Sequence, residues 1–241
     1  MELIVERFRG NSSRFFYTFT GNGNLDEIRK IGVNFYERWV LPRLINWAMT
    51  REDATRLRAA HVPAACGVVL EVGIGSGLNL PFYTSRVTHL YGVDSSAELL
   101  AMAREKAGAA PFPIELVHGS ADRLVLADAS IDTVVVTWSL CSIANAADAL
   151  REMRRVLKPG GTLIFVEHGL APDAGVRKWQ NRLTPFWRPL AGGCHLNRKM
   201  DDLVRGAGFT IADLRMEYVP GPSAFTFMYQ GRARKAETNN E

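Results

Sequence analysis

The chain has few cysteines, and they lie far apart. Its 241 residues include three, Cys66, Cys141 and Cys194. Their odd number and wide spacing exclude a disulfide framework and a Cys-x-x-Cys metal centre, and we predict no metal site. Cysteine usage of this kind is typical of a reducing compartment, so we expect a cytoplasmic protein.

Long apolar runs and clustered charges are also missing. No apolar stretch approaches the roughly 18–20 residues that cross a bilayer, and charged residues such as Glu2, Glu6 and Arg7 interrupt the first residues, which argues against a signal peptide. The net charge is +4 and the pI near 9.1, yet no run of five basic residues occurs. A solvated surface explains this charge, and nucleic acid is disfavoured. An anionic substrate or a peripheral contact with anionic lipid headgroups remains open.

From Cys66 onward, short apolar runs alternate with helical stretches. The candidate strands are residues 68–72, 87–93, 113–117, 131–137 and 162–167, with helices from Leu78, at 97–107 and at 146–157. This alternation predicts a parallel sheet with helices on both faces, an α/β fold. Residues 169–200 break the rhythm and are interpreted as an insert over the carboxyl edge of the sheet. A helix at 203–207 and a strand pair at 209–218 and 224–231 are expected to follow.

Residues 1–60 are expected to form an N-terminal arm and a helical cap. Residues 1–24 are predicted to form an extended arm. Residues 25–60 are predicted to be helical, because their aromatic and apolar residues fall roughly on one face of a helix. Within this helical region Pro42 should start a new helix or kink the first. A second cap helix is expected at 53–60.

The most informative segment is residues 69–77, an apolar run that ends in glycines at 73, 75 and 77. A dinucleotide-binding fingerprint would need its last glycine at position 78, where Leu78 stands. Glu71 precedes the first glycine, and Asp94 ends the next apolar run, where a ribose-binding acid belongs. Strand, turn and acid together predict a nucleotide-type cradle, with the helix N-terminus near Leu78 facing an anionic group.

The order acid-x-Gly-x-Gly-x-Gly resembles motif I of the class I S-adenosylmethionine (SAM) methyltransferases. Residues 119–122 resemble the adenine-edge motif of that family, residues 131–140 its motif IV, and residues 154–162 its helix-to-strand turn. The resemblance covers about residues 67–168. It implies a Rossmann-like fold with a seven-stranded, mostly parallel sheet and a SAM-binding domain at 61–235. The tail at 236–241 is expected to be disordered.

The resemblance also implies SAM as cofactor and S-adenosylhomocysteine as product. In such a site Asp94 accepts hydrogen bonds from the ribose hydroxyls, and Asp122 accepts one from the adenine amine. The residues expected to bind the cofactor are Glu71, Gly73, Gly75, Gly77, Asn79, Asp94, Ser95, Ala121, Asp122, Trp138 and Ser139.

Residues 165–198 resemble a subgroup that includes membrane-associated animal thiol S-methyltransferases and bacterial proteins of uncertain substrate. A small molecule is therefore the expected acceptor, with a thiol as first choice. N-methylation of an amine or a phosphatidylethanolamine-type headgroup and C-methylation of a quinone precursor stay open, as does a non-catalytic SAM-binding protein. We expect no amphipathic or hydrophobic N-terminal anchor like that of the animal enzymes, and this expectation disfavours a lipid-phase substrate.

His168 and His195 are the predicted catalytic acid–base residues. Histidine is the side chain best matched to proton transfer near neutral pH, and His168 ends a strand at the edge where acceptor chemistry would occur. Cys194 is expected to be a small packed residue, because methyl transfer needs no protein nucleophile. Trp179 and Trp187 are expected in the core of the insert, and Pro185 should interrupt their helix.

Overall fold

The computed structural model describes residues 36–235 and places a single mixed sheet at the centre of this part of the chain. Its strands are β1 (Gly67–Val72), β2 (Val87–Asp94), β3 (Ile114–His118), β4 (Ile131–Thr137), β5 (Leu157–His168), β6 (Phe209–Tyr218) and β7 (Phe227–Lys235). They lie in the order β3-β2-β1-β4-β5-β7-β6, and β7 pairs antiparallel with both of its neighbours. The predicted seven-stranded, mostly parallel sheet is confirmed.

Seven α-helices surround this sheet in the described part of the chain. They are α1 (Leu41–Met49), α2 (Glu52–His61), α3 (Ala97–Ala107), α4 (Ala146–Val156), α5 (Ala174–Leu190), α6 (Met200–Gly206) and α7 (Ser223–Thr226). A π-helix, Tyr36–Val40, leads into α1. The arm at 1–24, the cap residues before Tyr36 and the tail at 236–241 lie outside the described residues.

The central strands are covered on both faces. Val134, Val135 and Val136 are consecutive in β4, so their side chains alternate between faces, yet all three are fully buried. A strand buried on both faces is the usual consequence of parallel pairing with helices on each side. The helix α4 contributes to one face through Ala149, Leu150 and other residues at helical spacing.

The predicted helix from Leu78 is wrong. Residues 73–86 form turns and a single short 3₁₀-helix, Leu80–Phe82. Pro81 has no backbone N–H to donate, and Asn79 turns its side chain inward to the buried carboxylate of Glu71. The described cradle therefore has no α-helix N-terminus behind its glycine turn, and the dipole expected from one is absent from residues 73–86.

The insert also differs from its prediction. The helix α5 continues past Pro185, because that residue is exposed and the lost backbone bond lies on the solvent side. The opposite face is anchored by buried Gln180 and by Thr184, whose hydroxyl donates to the Gln180 carbonyl at 2.7 Å. Trp179 is 58% exposed, so its expected core position is wrong.

Smaller corrections concern the ends of elements. Strand β5 begins at Leu157, well before the expected Thr162, and takes in the glycine turn that was expected to precede it. The last strand begins at Phe227 after the short α7, and α6 begins at Met200. Helix α1 carries Pro42 in its first turn, as the sequence predicts. No helix in residues 36–235 is long and apolar enough to cross a membrane.

The Gln180 side chain should be essential to the insert. Its Oε1 accepts from the Ala171 N–H at 2.9 Å, and its Nε2 donates to the carbonyls of Gly169 at 3.0 Å and Ala224 at 3.2 Å. Gln180→Leu keeps the volume but leaves three buried backbone groups without partners, so we expect a loss of about 2–4 kcal/mol in the free energy of unfolding. Urea unfolding measures it. Arg182→Ala, on the exposed face of α5, is the control, and equal losses in the two variants would refute this role.

Candidate functional site

The glycine turn after β1 is shaped by three different constraints. Gly73 has φ 71°, and a Cβ there would clash with the Ser139 side chain, so only glycine lets the turn approach the loop after β4. Gly75 has φ 56°, and the nearest atom to its Cβ position is the Gly73 carbonyl oxygen at 4.0 Å. Gly77 instead packs against Leu80 and helix α3. The backbone at Gly75 is therefore the part of the turn that a ligand can approach closely.

Asp94 at the end of β2 ties the turn to the next strand. Its Oδ2 accepts from the Gly75 N–H and its Oδ1 from the Ser96 N–H, each at 2.8 Å. A carboxylate has about four acceptor positions, so capacity remains for two hydroxyl donors. Burial raises the pKa of Asp94, and the backbone bonds oppose that shift. Ser95 follows directly, and its carbonyl lies 2.9 Å from Nε2 of His118.

Glu71 lies in a buried polar network behind the turn. Its carboxylate accepts from the Asn79 amide at 2.9 Å and from the Tyr83 hydroxyl at 2.8 Å, and Asn79 also donates to Thr137 at 3.0 Å. Burial raises the pKa of Glu71 to about 8, although these hydrogen bonds lower it. The Oδ1 of Asn79 is buried and has no hydrogen-bond partner, so it is an acceptor available to a bound cation or amine.

Arg58 is a site residue that the sequence reasoning missed. It projects from helix α2, is 5% exposed, donates to the Met49 carbonyl at 2.7 Å and lies over the ring of Trp138 at 4.8 Å. Burial lowers its pKa to about 10, with the nearby charge of Glu71 opposing that shift. Its Nε is buried without a partner. No local pattern marks this arginine, because its position depends on contacts with residues distant in sequence.

Arg58 and Lys106 supply positive charge near the turn. The Lys106 ammonium donates to the Ser76 carbonyl at 2.7 Å. Burial lowers the pKa of Lys106, and the nearby charge of Arg58 lowers it further. The Ser76 hydroxyl donates to Asn46 of α1 at 2.5 Å. Helices α1 and α3 therefore contact the turn through Asn46 and Lys106, and the charges of Lys106 and Arg58 lie where the sequence led us to expect a helix dipole.

The predicted adenine-edge residues lie beside Asp94. The Gly119 N–H donates to the Asp94 carbonyl at 3.0 Å, which places residues 119–122 next to the end of β2. Ala121 is buried, and Asp122 is partly exposed and accepts from the Ser120 hydroxyl. That hydrogen bond lowers the pKa of Asp122, so this carboxylate is ionised near neutral pH.

The loop after β4 is held in a strained conformation by a buried acid. Trp138 has φ 50°, a region that costs a non-glycine residue of order 1–3 kcal/mol. Glu167 is fully buried and accepts three backbone N–H groups, from Ser139 at 2.7 Å, Leu140 at 2.9 Å and Cys141 at 3.2 Å. Its carboxylate fixes the loop, and its full burial keeps it away from solvent.

The two predicted catalytic histidines have different surroundings. His168 is buried, and its Nε2 lies 3.5 Å from the Cys194 sulfur. Burial lowers the pKa of His168, but the nearby Cys141 outweighs this effect, so the pKa is raised overall. His195 is partly exposed, with Nδ1 3.1 Å from the Cys141 carbonyl, and burial followed by Arg198 lowers its pKa. The structure thus brings His168 together with two cysteines. An acid–base role for either histidine stays a prediction.

The comparisons with known proteins agree on one family. A methyltransferase domain family matches residues 70–165. The thiol S-methyltransferase TMT1B of Rattus norvegicus is 33% identical over 157 residues, 64% of this chain and 64% of that protein, so the chain spans just under two thirds of the rat protein. The phosphatidylethanolamine N-methyltransferase of Cereibacter sphaeroides is 39% identical over 143 residues, 58% of this chain and 68% of that protein.

A solved structure shares the fold. The N-methyltransferase NodS from Bradyrhizobium japonicum WM9, solved in complex with S-adenosyl-L-homocysteine, aligns with a TM-score of 0.60 at 18% identity. The alignment covers 79% of this chain and 92% of NodS.

The raised pKa of Glu71 predicts a pH-dependent stability for the ligand-free protein. Between the ordinary pKa of 4.5 and about 8, the folded chain keeps a proton that the unfolded chain releases. This contribution to stability is therefore complete below pH 4.5 and is lost as the pH rises through about 8, with a slope of up to about 1.4 kcal/mol per pH unit. Glu71→Gln cannot titrate, so denaturant unfolding over this range should show a flatter slope. Glu105→Gln, at an exposed position, is the control and should keep the native slope. Equal slopes of unfolding free energy against pH in the native chain and in Glu71→Gln would contradict the raised pKa of Glu71.

Proposed function

Because the chain belongs to the class I SAM-dependent methyltransferases, we propose that it methylates the sulfur of a small, apolar thiol. The observation that carries this proposal is a cleft of about 180 Å³ beside Trp138, at the end of β4. Apolar side chains form most of its lining, among them Met49, Leu57, Val219, Phe225 and Met228. This volume is below the ~300–1,000 Å³ of sites for drug-sized ligands, so it suits a small acceptor.

The residues that would hold the cofactor follow from unused hydrogen-bonding capacity. Asp94 would accept from the ribose hydroxyls, Asp122 and the backbone N–H of Ala121 would meet the adenine edge, and Ser95 would lie between them. The Nε of Arg58 suits the carboxylate of the methionine moiety, and the Oδ1 of Asn79, beside Glu71, suits its ammonium group. Gly73, Gly75 and Gly77 would shape the floor, and Trp138 and Ser139 would lie toward the acceptor.

Thiol chemistry suits the lining of the cleft. When bound, SAM supplies a methyl group on a positively charged sulfur, which is already a good electrophile. The residues of the chain need mainly to align the acceptor. A thiol has a pKa of about 8.5 and ionises in part near neutrality, whereas an alkylamine with a pKa of about 10.4 needs a base. None of the described residues that line the cleft is a histidine, and the carboxylate among them, Asp53, pairs with Arg51 at 3.4 Å. The rat relative's name, a thiol S-methyltransferase, supports the same choice.

Headgroup N-methylation is the second candidate. Trp47 of α1 and Phe186 and Leu190 of α5 are 61–73% exposed. The hydroxyl of Tyr36, in the π-helix before α1, donates to the Leu190 carbonyl at 2.8 Å and joins that π-helix to α5. Exposed aromatic and apolar side chains are typical of surfaces that contact lipid or protein. Together with the bacterial relative named as a phosphatidylethanolamine N-methyltransferase, they favour this alternative over a quinone precursor.

Cofactor binding should depend on Asp94 and Arg58. We expect Asp94→Ala to abolish measurable SAM binding, and Arg58→Met to weaken it by about 10–100-fold, because a hydrogen bond to a charged group contributes about 1.5–3 kcal/mol. Isothermal titration calorimetry with SAM measures both. Arg56→Met is the control, since Arg56 is exposed on the same helix. A native-like dissociation constant for either site variant would remove that residue from the proposed cofactor site.

A labelled-methyl screen identifies the acceptor. The native chain is incubated with methyl-labelled SAM and apolar thiols, primary amines, phosphatidylethanolamine vesicles or quinone precursors. We expect label on the thiols. Val219→Trp should narrow the cleft and raise KM for the thiol without changing SAM affinity, whereas Val125→Trp, at a position 67% exposed, should change neither. Label on phospholipid alone would replace the thiol proposal by the second candidate.

A further inference from the structure

Cys141, His168 and Cys194 converge although they are far apart in the sequence. They come from the loop after β4, the last residue of β5 and the loop after α5. Their possible ligand atoms all lie within 4.8 Å of one another, and the Cys194 sulfur is 3.5 Å from Nε2 of His168. Cys141 and His168 are buried, and Cys194 is half-buried.

We propose that these three side chains form a binding site for a thiophilic divalent cation, Zn²⁺, with an open fourth position. Two thiolates and one imidazole are a ligand set that zinc uses, and three protein ligands leave one position for water or an exogenous ligand. Thiolate ligands also disfavour Mg²⁺ and Ca²⁺, which prefer oxygen. Among residues 36–235 no fourth Cys, His, Asp or Glu belongs to the cluster.

The distances suit a tetrahedral ion. Zinc–sulfur and zinc–nitrogen bonds of about 2.3 and 2.0–2.1 Å place neighbouring ligand atoms roughly 3.5–3.8 Å apart. The separation of 3.5 Å between Cys194 and His168 already has this value. The upper limit of 4.8 Å for the other pairs requires a side-chain shift of about 1 Å at most.

Charge balance also favours the ion. Two thiolates neutralise Zn²⁺, so the loaded cluster would add no net charge to a buried region. The neighbouring Glu167 carboxylate and Arg198 guanidinium carry opposite charges, so they add no net charge to the cluster.

The loops that carry the two cysteines are fixed by backbone contacts. The Cys141 N–H donates to Glu167, and the Cys141 carbonyl accepts the His195 N–H at 2.8 Å, which joins the loop of Cys194 to that of Cys141. Arg198 donates to the Ile143 carbonyl at 2.6 Å. Gly193 has φ 87°, and a Cβ there would lie 3.0 Å from the Ser142 carbonyl. Such outer contacts orient ligands before a metal binds.

The site is tested by metal binding in the reduced, full-length chain, independently of any methyl acceptor. The protein is stripped with a chelator, and Zn²⁺ is titrated in competition with a chromophoric chelator. We expect the native chain to bind zinc in competition with the chromophoric chelator. When Co²⁺ replaces Zn²⁺, the protein should show the charge-transfer absorption of thiolate ligands. Cys141→Ser, Cys194→Ser and His168→Asn should each weaken zinc binding by at least about 100-fold. Cys66→Ser and His89→Asn, outside the cluster, are the matched controls.

Two outcomes would overturn the proposal. One is that the reduced native chain binds no zinc in competition with the chelator and shows no thiolate–cobalt absorption. This measurement uses no variant, so it does not depend on whether the variants fold. The other is zinc affinity undiminished in the double variant Cys141→Ser/Cys194→Ser. Circular dichroism and SAM affinity of each variant report whether a loss of zinc reflects a loss of fold.

Discussion

The candidate site depends on the buried carboxylate of Glu167. It is the residue before the last of β5, yet its partners are three successive backbone N–H groups of the loop after β4, so it joins the carboxyl ends of two neighbouring strands. Burying a carboxylate is costly unless it is fully hydrogen-bonded, and these donors meet that condition. The same bonds keep Trp138 at a positive φ and hold Cys141 near His168. The cofactor edge, the cleft and the sulfur cluster therefore share one anchor.

The two acids of the cradle have different roles because their surroundings differ. Asp94 retains acceptor positions after its two backbone bonds, whereas Glu71 is enclosed by Asn79 and Tyr83 and is raised in pKa to about 8. The acid nearest the glycines is thus mainly structural in the ligand-free protein. Its proximity to Arg58 makes the two groups interdependent, since each opposes the shift that burial causes in the other. A ligand with both an ammonium and a carboxylate would meet both kinds of charge in this region.

Much of the sheet was predictable, because its signals are local. The valines of β4, the glycine turn and the alternation of strands and helices specify buried parallel strands without knowledge of distant contacts. The errors arose where local signals conflict with tertiary packing. Pro81 and the inward turn of Asn79 prevent a helix after the glycines, while α5 passes Pro185 because its buried face is anchored by Gln180. Arg58 and the Cys141–His168–Cys194 cluster are invisible locally, since they form only when segments far apart in sequence meet.

This difference divides the site into two parts. The proposed cofactor part is built from residues 71–94 and the strand ends beside them, so a local motif predicts it. The proposed acceptor cleft is lined by residues of α1, α2, β7 and the segment at 219–226, together with Trp138, and these meet only in the folded chain. Arg58 connects the two parts, because its guanidinium lies on the Trp138 ring while its charge acts on Glu71. We therefore expect a change in the cap helices to alter the proposed acceptor cleft and cofactor cradle together, and selectivity for an acceptor to depend on contacts that no single motif encodes.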